Sequence, residues 1–509
     1  MSARAAVAAA ALCGVLSALA FDPVAVPYLM VLAVAGLLWT VRRLADARRR
    51  VVLLTGFVYG LAFMAPLIWW MRAVSTGAWA GLVVVEAVFL AVTTLALRTA
   101  CTLRAWPLWA AGVWVLGEWA RGTFPFTGFP WGRLVHTTID TPLAAWVRLL
   151  GMPATSALLV LVAAGLVVLV EGTFRARLTA AVGIVAALLV GATLPTGAPG
   201  VRGDLRVALV QGDVPGEFLT WVRGDIFRLH AAETQRLVAR VQSGQEQRPD
   251  LVLWPENSTD TDPLHDEPVR RRIEELSRAL RAPILVGGLF DGERDDQVVN
   301  AGQVWTRNGP GERYVKRKIV PYGEYVPFRH ALGGLVPRID RDIPRDMVAG
   351  DASGALPVAG TVIGDTICFD VAHDGIVREA LQDDASILVV QTSNAAFTGT
   401  SQPEQQWKIS RLRALETGRP VLVPSTNGIS GVVDARGRVV DRAPVRTPAT
   451  IVRDVPLSTG STPARTTERP LEIALVTLGL VGWVLGARRL RNARTEGAPD
   501  AHAGRDADL

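Results

Sequence analysis

Apolar residues gather into seven long runs before position 195 and one more near the carboxyl end, at about 5–21, 23–41, 51–71, 79–100, 105–121, 143–170, 178–194 and 471–487. Most approach the roughly 20 residues a helix needs to cross the hydrocarbon core of a bilayer, so the pattern predicts eight membrane helices. The first run, led by Arg4, has the outline of a signal peptide. The second run follows within a few residues and no small-residue cleavage site separates them, so a retained span is expected.

Between about 200 and 470 the pattern changes to short β-type runs alternating with amphipathic stretches. Strands are predicted at Leu205–Gln211, Leu251–Trp254, Ile284–Leu289, Ala301–Thr306, Thr361–Phe369, Ile387–Gln391, Val421–Pro424 and Ile429–Val433, and helices over 224–242, 266–281, 374–382 and 403–417. Such alternation predicts an α/β layered domain, and hairpin-like pairs near 429–440 imply mixed sheets. The breaker-rich segment Leu194–Gly200 and the Ser-, Thr-, Pro- and Arg-rich stretch 457–470 read as linkers. The expected organisation is a seven-helix membrane domain over 1–198, an outward-facing α/β domain over 203–456, an eighth helix over 470–489 and a disordered cytoplasmic tail over 495–509. The irregular stretch 328–350 reads equally as a mobile lid or as ordinary surface covering.

Composition supports a chain partly in lipid: half of the 509 residues are apolar and 20% are charged, against about 25% in soluble domains. Arginines mark the topology. Arg42, Arg43, Arg48, Arg49 and Arg50, then Arg98 and Arg104, Arg175 and Arg177, and Arg488, Arg489, Arg491 and Arg494 occupy alternate loops. The opposite loops carry mainly Arg72, Arg121, Arg133 and Arg202. Cationic loops stay cytoplasmic, which puts both termini inside and the α/β segment outside. This accounts for the formal charge of +6 without invoking nucleic acid. Glu118 and Arg121, near the outer end of the fifth run, read either as an interfacial anchor or as a polar entrance for a lipid headgroup.

Cysteines stand at 13, 101 and 368, two of them in apolar runs, so neither a disulfide framework nor a C-x-x-C metal site is available. No metal or cofactor is expected. Three motifs in the α/β segment carry chemistry. In Leu253-Trp-Pro-Glu256 the proline ends a strand and places the glutamate on its rim. Tyr314-Val-Lys-Arg-Lys-Ile-Val-Pro-Tyr-Gly-Glu324 offers a lysine, and strand alternation lets Lys316 or Lys318 face inward. In Gly364-Asp-Thr-Ile-Cys-Phe-Asp370 a strand ends in cysteine. Acyl transfer needs a soft nucleophile, a base and a cation or N–H donors for the oxyanion; Cys368, Glu256 and Lys316 can supply them.

Glutamate, lysine and cysteine in that order resemble the catalytic set of the nitrilase superfamily, and with the membrane runs the chain as a whole resembles the apolipoprotein N-acyltransferase family. Trp254-Pro-Glu256 matches the family's base motif, Lys316, five residues before Pro321, its lysine, Cys368 its nucleophile, and Glu324 a second active-site glutamate. The family spacing selects Lys316 over Lys318. Trp221, Asn394 (in Ser393-Asn-Ala-Ala-Phe397) and Phe369 match supporting or substrate-binding positions, and Thr127-Gly-Phe-Pro-Trp131 matches a motif of the membrane half. The chain departs from the family in carrying Phe369-Asp370 where Tyr-Glu is usual. The resemblance implies a multi-pass helical membrane domain bearing an αββα sandwich. It also implies a bacterial cell-membrane monomer that takes an acyl chain from a phospholipid and, through a Cys368 thioester, gives it to the amino group of a diacylglyceryl-cysteine lipoprotein. The alternative activity is a membrane-tethered amidase; a non-enzymatic transporter or scaffold is a third reading.

Overall fold

Each apolar run becomes a helix: α1 (Ala3–Leu19), α2 (Tyr28–Arg42), α3 (Arg49–Leu67), α4 (Thr76–Ala100), α5 (Trp106–Thr123), α6 (Val147–Glu171), α7 (Phe174–Thr193) and, last in the chain, α12 (Pro463–Glu496). The computed structural model describes residues 1–215, 222–329 and 343–496. Trp221, most of the 328–350 segment and residues 497–509 therefore lie outside or largely outside the described residues. Among those described, five helices are long and apolar enough to cross a membrane, namely Arg49–Leu67, Thr76–Ala100, Pro142–Glu171, Phe174–Thr193 and Pro463–Ala493. The helices Ala3–Leu19 and Tyr28–Arg42 are apolar but shorter. The second is cut back because Pro23 and Pro27 hold the preceding residues outside the helix. α5 carries Glu118 and Arg121 within its length. Packing relies on small residues where backbones meet: a Cβ on Gly112 of α5 would stand 2.7 Å from the Gly479 nitrogen of α12.

The α/β domain is built from two mixed sheets. The first has strand order β13-β1-β2-β3-β4-β5, with β6 beside β4. Its strands are β1 (Gly200–Gln211), β2 (Leu251–Leu253), β3 (Ile284–Asp291), β4 (Gln297–Thr306), β5 (Gly309–Val315), β6 (Asp346–Met347) and β13 (Ala449–Thr459). The second runs β12-β11-β10-β9-β8-β7, from β7 (Ala355–Val358), β8 (Thr361–Ile367), β9 (Ile387–Gln391), β10 (Val421–Val423), β11 (Gly431–Val433) and β12 (Val439–Arg442). Strands β1, β2 and β3 are mutually parallel, as are β8, β9 and β10.

Alternation along the strands sorts side chains to two faces. Val207, Leu209, Leu251, Leu253 and Leu285 meet Ile363, Ile367, Ile387, Val389 and Leu422 between the sheets. Ala208, Val210, Val252 and Val286 face the other way, onto α8 (Asp225–Gln242) and α9 (Glu267–Leu280). The second sheet's outer face is covered by α10 (Asp374–Ala380) and α11 (Gln402–Thr417), and that layer joins the core of the helical bundle without a break. The result is an αββα sandwich whose cysteine-bearing half is docked on the membrane helices. Strands β5, β7, β12 and β13, outside the predicted set, are all at sheet edges. Their Pro310, Pro357, Pro456 and charged residues weaken the strand signal and are tolerated where one side of the strand is unpaired. The stretch 457–470, expected as a linker, is the end of β13 followed by the start of α12.

Candidate active site

Open α/β sheets place functional groups beyond the carboxyl ends of their parallel strands. Here β2 ends into Trp254-Pro255-Glu256, β8 into Cys368, β9 into Thr392-Ser393-Asn394 and β10 into Ser425-Thr426. Lys316 is the first residue after β5, and its backbone N–H donates to the Asn300 carbonyl of β4 at 2.8 Å.

Glu256 is buried and fully engaged. Its Oε1 accepts from Asn300 Nδ2 at 2.8 Å and from Lys316 Nζ at 2.9 Å, and its Oε2 accepts from the Ser393 backbone N–H at 2.9 Å. Lys316, 1% exposed, also donates to Glu324 Oε1 at 2.5 Å. Glu324 is locked by a second bond, from the Val320 N–H to its Oε2 at 2.8 Å. One ammonium thus sits between two carboxylates. Burial pulls the Lys316 pKa down, but Glu256 and Glu324 outweigh it and leave it well above the ordinary lysine value. Burial likewise raises Glu324, and Glu256 adds to the rise while Lys316 opposes it.

Cys368 opens a short 3-10 turn directly after β8 and has φ 52, a left-handed conformation that a non-glycine residue adopts only when its surroundings impose it. Asp370 is part of what imposes it. Its Oδ2 accepts from Tyr314 OH at 2.8 Å and from the Ile367 N–H at 3.2 Å, and its Oδ1 accepts from the Lys318 N–H at 2.9 Å. The carboxylate therefore ties the cysteine turn to the lysine segment, so the shorter Asp in place of Glu still reaches both. The thiol is pushed up to about 12 by burial and by Glu256, with Lys316 pulling the other way and Glu324 adding to the rise. It rests as a thiol and requires a base.

The remaining expected positions take distinct places. Lys316, not Lys318, joins the two glutamates. Phe369 stacks on Phe129 and Trp131, centroids 5.9 and 6.4 Å away and planes 24° apart in both cases, joining the cysteine turn to the Thr127–Trp131 loop of the membrane half. Asn394 spends its amide within the protein, donating to Gln402 and Gln406 and accepting from Ser425 Oγ at 3.1 Å. It holds the loop that delivers the Ser393 N–H. Glu118 and Arg121 are buried against protein partners, which favours the anchor reading over a headgroup entrance. Asn300 is a residue the sequence reading missed; a polar side chain inside the apolar run Val298-Val-Asn-Ala was its signal.

A two-sheet sandwich with glutamate, lysine and cysteine gathered at its strand ends has the layout of a carbon-nitrogen hydrolase domain, and the carbon-nitrogen hydrolase family model matches residues 206–463. A second model, the apolipoprotein N-acyltransferase N-terminal domain, matches residues 13–165. Among relatives, a protein named apolipoprotein N-acyltransferase from Mycolicibacterium smegmatis is 34% identical over 86% of this chain and 78% of its own length. Another of that name from Photobacterium profundum is 27% identical over 67% of this chain and 66% of its own. An amidase from Nesterenkonia sp. is similar in structure at 17% identity, covering 54% of this chain and 97% of its own, with a TM-score of 0.37. The chain belongs to the apolipoprotein N-acyltransferase family. It is an acyltransferase with a nitrilase-like α/β domain on a multi-pass helical membrane domain.

Proposed function

We propose that this enzyme moves a fatty acyl chain from a membrane phospholipid, through a thioester on Cys368, to the terminal amine of a diacylglyceryl-cysteine lipoprotein. The observation that supports this reading is the buried Glu256–Lys316–Glu324 cluster at the same strand ends as the Cys368 turn. Glu256 takes the Sγ proton as the sulfur attacks the ester carbonyl. Lys316, whose charge is secured by its two carboxylates, stabilises the oxyanion together with a backbone N–H after Cys368. The ester C–O bond breaks, and the departing lysophospholipid oxygen takes the proton from Glu256. In the second half the acceptor amine gives a proton to Glu256 and attacks the thioester. The C–S bond then breaks, an amide remains and the thiol is re-protonated. Glu324 secures the ammonium, and no metal or cofactor takes part.

The bundle supports a topology for this chemistry. Arg42 and Arg43 pair with Glu171 at 3.2 and 3.3 Å, and Arg98 donates to the Ala45 carbonyl at 2.6 Å, so the arginine-bearing ends of α2 and α4 meet the Glu171 end of α6. The other end meets α11: Gln405 accepts from the indoles of Trp70 and Trp131 and donates to the carbonyls of Asp22 and Leu67. With the cationic end cytoplasmic, the α/β domain faces outward, both termini face inward, and one monomer holds the site at the lipid surface, where both substrates are concentrated.

The test is to give the full chain a phospholipid and a diacylglyceryl-cysteinyl peptide and weigh the products. One acyl group gained by the peptide, matched by lysophospholipid and dependent on Cys368, is expected. Hydrolysis of small amides with no acyl transfer would replace this reading with the tethered amidase.

A further inference from the structure

Arg121 of α5 and Glu86 of α4 form a salt bridge at 3.1 Å with both side chains no more than 3% exposed. Burying such a pair among apolar helices gains little over well-packed hydrocarbon, while leaving either charge alone is costly. Stability alone therefore gives no reason for it. The same Arg121 Nη1 also donates to the carbonyls of Phe129, at 3.2 Å, and Trp131, at 2.6 Å. The Phe129 N–H returns a bond to the Arg121 carbonyl at 2.7 Å. Phe129 and Trp131 are the residues whose rings flank Phe369, the neighbour of Cys368. On its other side the loop reaches the lysine segment, through Thr127 Oγ1 to the Ile319 carbonyl at 3.4 Å and through Phe126 to the Phe328 ring at 5.9 Å.

We propose that Arg121, braced by Glu86, is a positioning residue for the Cys368 turn: from inside the bundle it fixes the Phe129–Trp131 loop, whose rings hold Phe369 and with it the thiol. Glu86 neutralises the guanidinium and aims it, and the guanidinium fixes two carbonyls two residues apart. All three bonds leave the one nitrogen Nη1, whose direction the planar guanidinium fixes, whereas lysine at 121 would bring an ammonium on a flexible stem with no such plane. The proposal rests on the acyl-transfer reading for its function, though not for its geometry.

The experiment is single-turnover acylation of the full-length protein in bilayer discs by phosphatidylethanolamine, followed by intact mass. The amplitude reports how much protein is folded; the rate constant reports how well the thiol is placed. The variants are Arg121→Lys, Glu86→Gln and the double Glu86→Leu/Arg121→Leu, in which no charge is left unpaired. The double variant is expected to keep its amplitude and to slow at least about tenfold, since displacements of about 1 Å cost up to about 10²-fold. Glu86→Gln, nearly isosteric, is expected to slow less, and Phe369→Leu added to the double variant to slow it little further. Reduced amplitudes with wild-type rates, or a wild-type rate in the double variant, would reduce Arg121 to a structural role and overturn the proposal. Alkylation of Cys368 by iodoacetamide, mapped by peptide mass, reads the same placement without lipid. If wild type gains no acyl group, the functional reading has failed, and altered or unaltered alkylation in the variants still decides on Arg121.

Discussion

Two of the charged networks buried among the described residues differ in how their signs are arranged. At the seam between the α/β domain and the bundle, acids and arginines alternate. Glu118 lies 3.6 Å from Arg133, Arg133 2.7 Å from Asp374, Asp374 2.7 Å from Arg413, and Arg413 2.6 Å from Glu416. Burial alone would raise the Asp374 carboxyl, but Arg133 and Arg413 hold it below the usual carboxylate range. At the active site one ammonium serves two carboxylates; burial raises Glu324 and pushes the thiol up to about 12, and Glu256 adds to both. Along the seam series each acid faces an arginine, and the arrangement serves as a joint. At the site two acids share one ammonium, and Glu256, the group that must exchange protons, is one of them.

The largest effect should come from removing the Lys316 ammonium that joins the two glutamates. Lys316→Gln keeps a donor but not the charge, and should slow Cys368 acylation about 10²–10³-fold, measured in single turnover, with the protein still folded. At the seam, Asp374→Asn leaves Arg133 and Arg413 short of a counter-charge and should destabilise the protein by about 3–5 kcal/mol. Thermal unfolding should report that loss while the acylation rate of the folded fraction stays at the wild-type value. Loss of acylation rate without loss of stability would erase the distinction between the two networks. A subtler change is Glu324→Gln. It removes one of the carboxylates that raise the thiol, so the pH profile of Cys368 alkylation should move to lower pH; a move upward would contradict the account.

The smallest effect concerns acid. Asp374 has a depressed pKa in the folded chain, so its stabilising contribution is present above its unfolded value, about pH 4, and is lost as pH falls through the folded value. Unfolding midpoints should therefore show no contribution from Asp374 titration between neutrality and about pH 4, and Asp374→Asn should remove part of the acid loss below it.

These contrasts also explain what could be read from sequence. Glu256 follows a proline at a strand end and Cys368 ends a strand two residues before a carboxylate, so local pattern exposed both, whereas pattern left Lys316 and Lys318 equal and only the family spacing selected Lys316. The seam was silent because Arg133 and Asp374, or Arg411 and Asp140, pair across more than 200 residues and belong to elements that only tertiary packing brings together. Phe369 and Asp370 were visible as departures from a familiar motif. Their work, a stack onto the Thr127–Trp131 loop and a clamp onto Tyr314 and Lys318, depends on partners that no local spacing names. The edge strands were missed for a plainer reason, since a half-paired strand needs little of the β-type pattern that a central one shows.

The central claim is that the Glu256–Lys316 pair works on the Cys368 sulfur to form an acyl-enzyme. Intact-mass analysis of the full chain after incubation with phospholipid measures it most directly. The account predicts a gain of one acyl group, labile to hydroxylamine and missing in Cys368→Ser and Glu256→Gln. An acyl group that persists in Cys368→Ser, or a wild-type protein that never acquires one while releasing lysophospholipid, would contradict it.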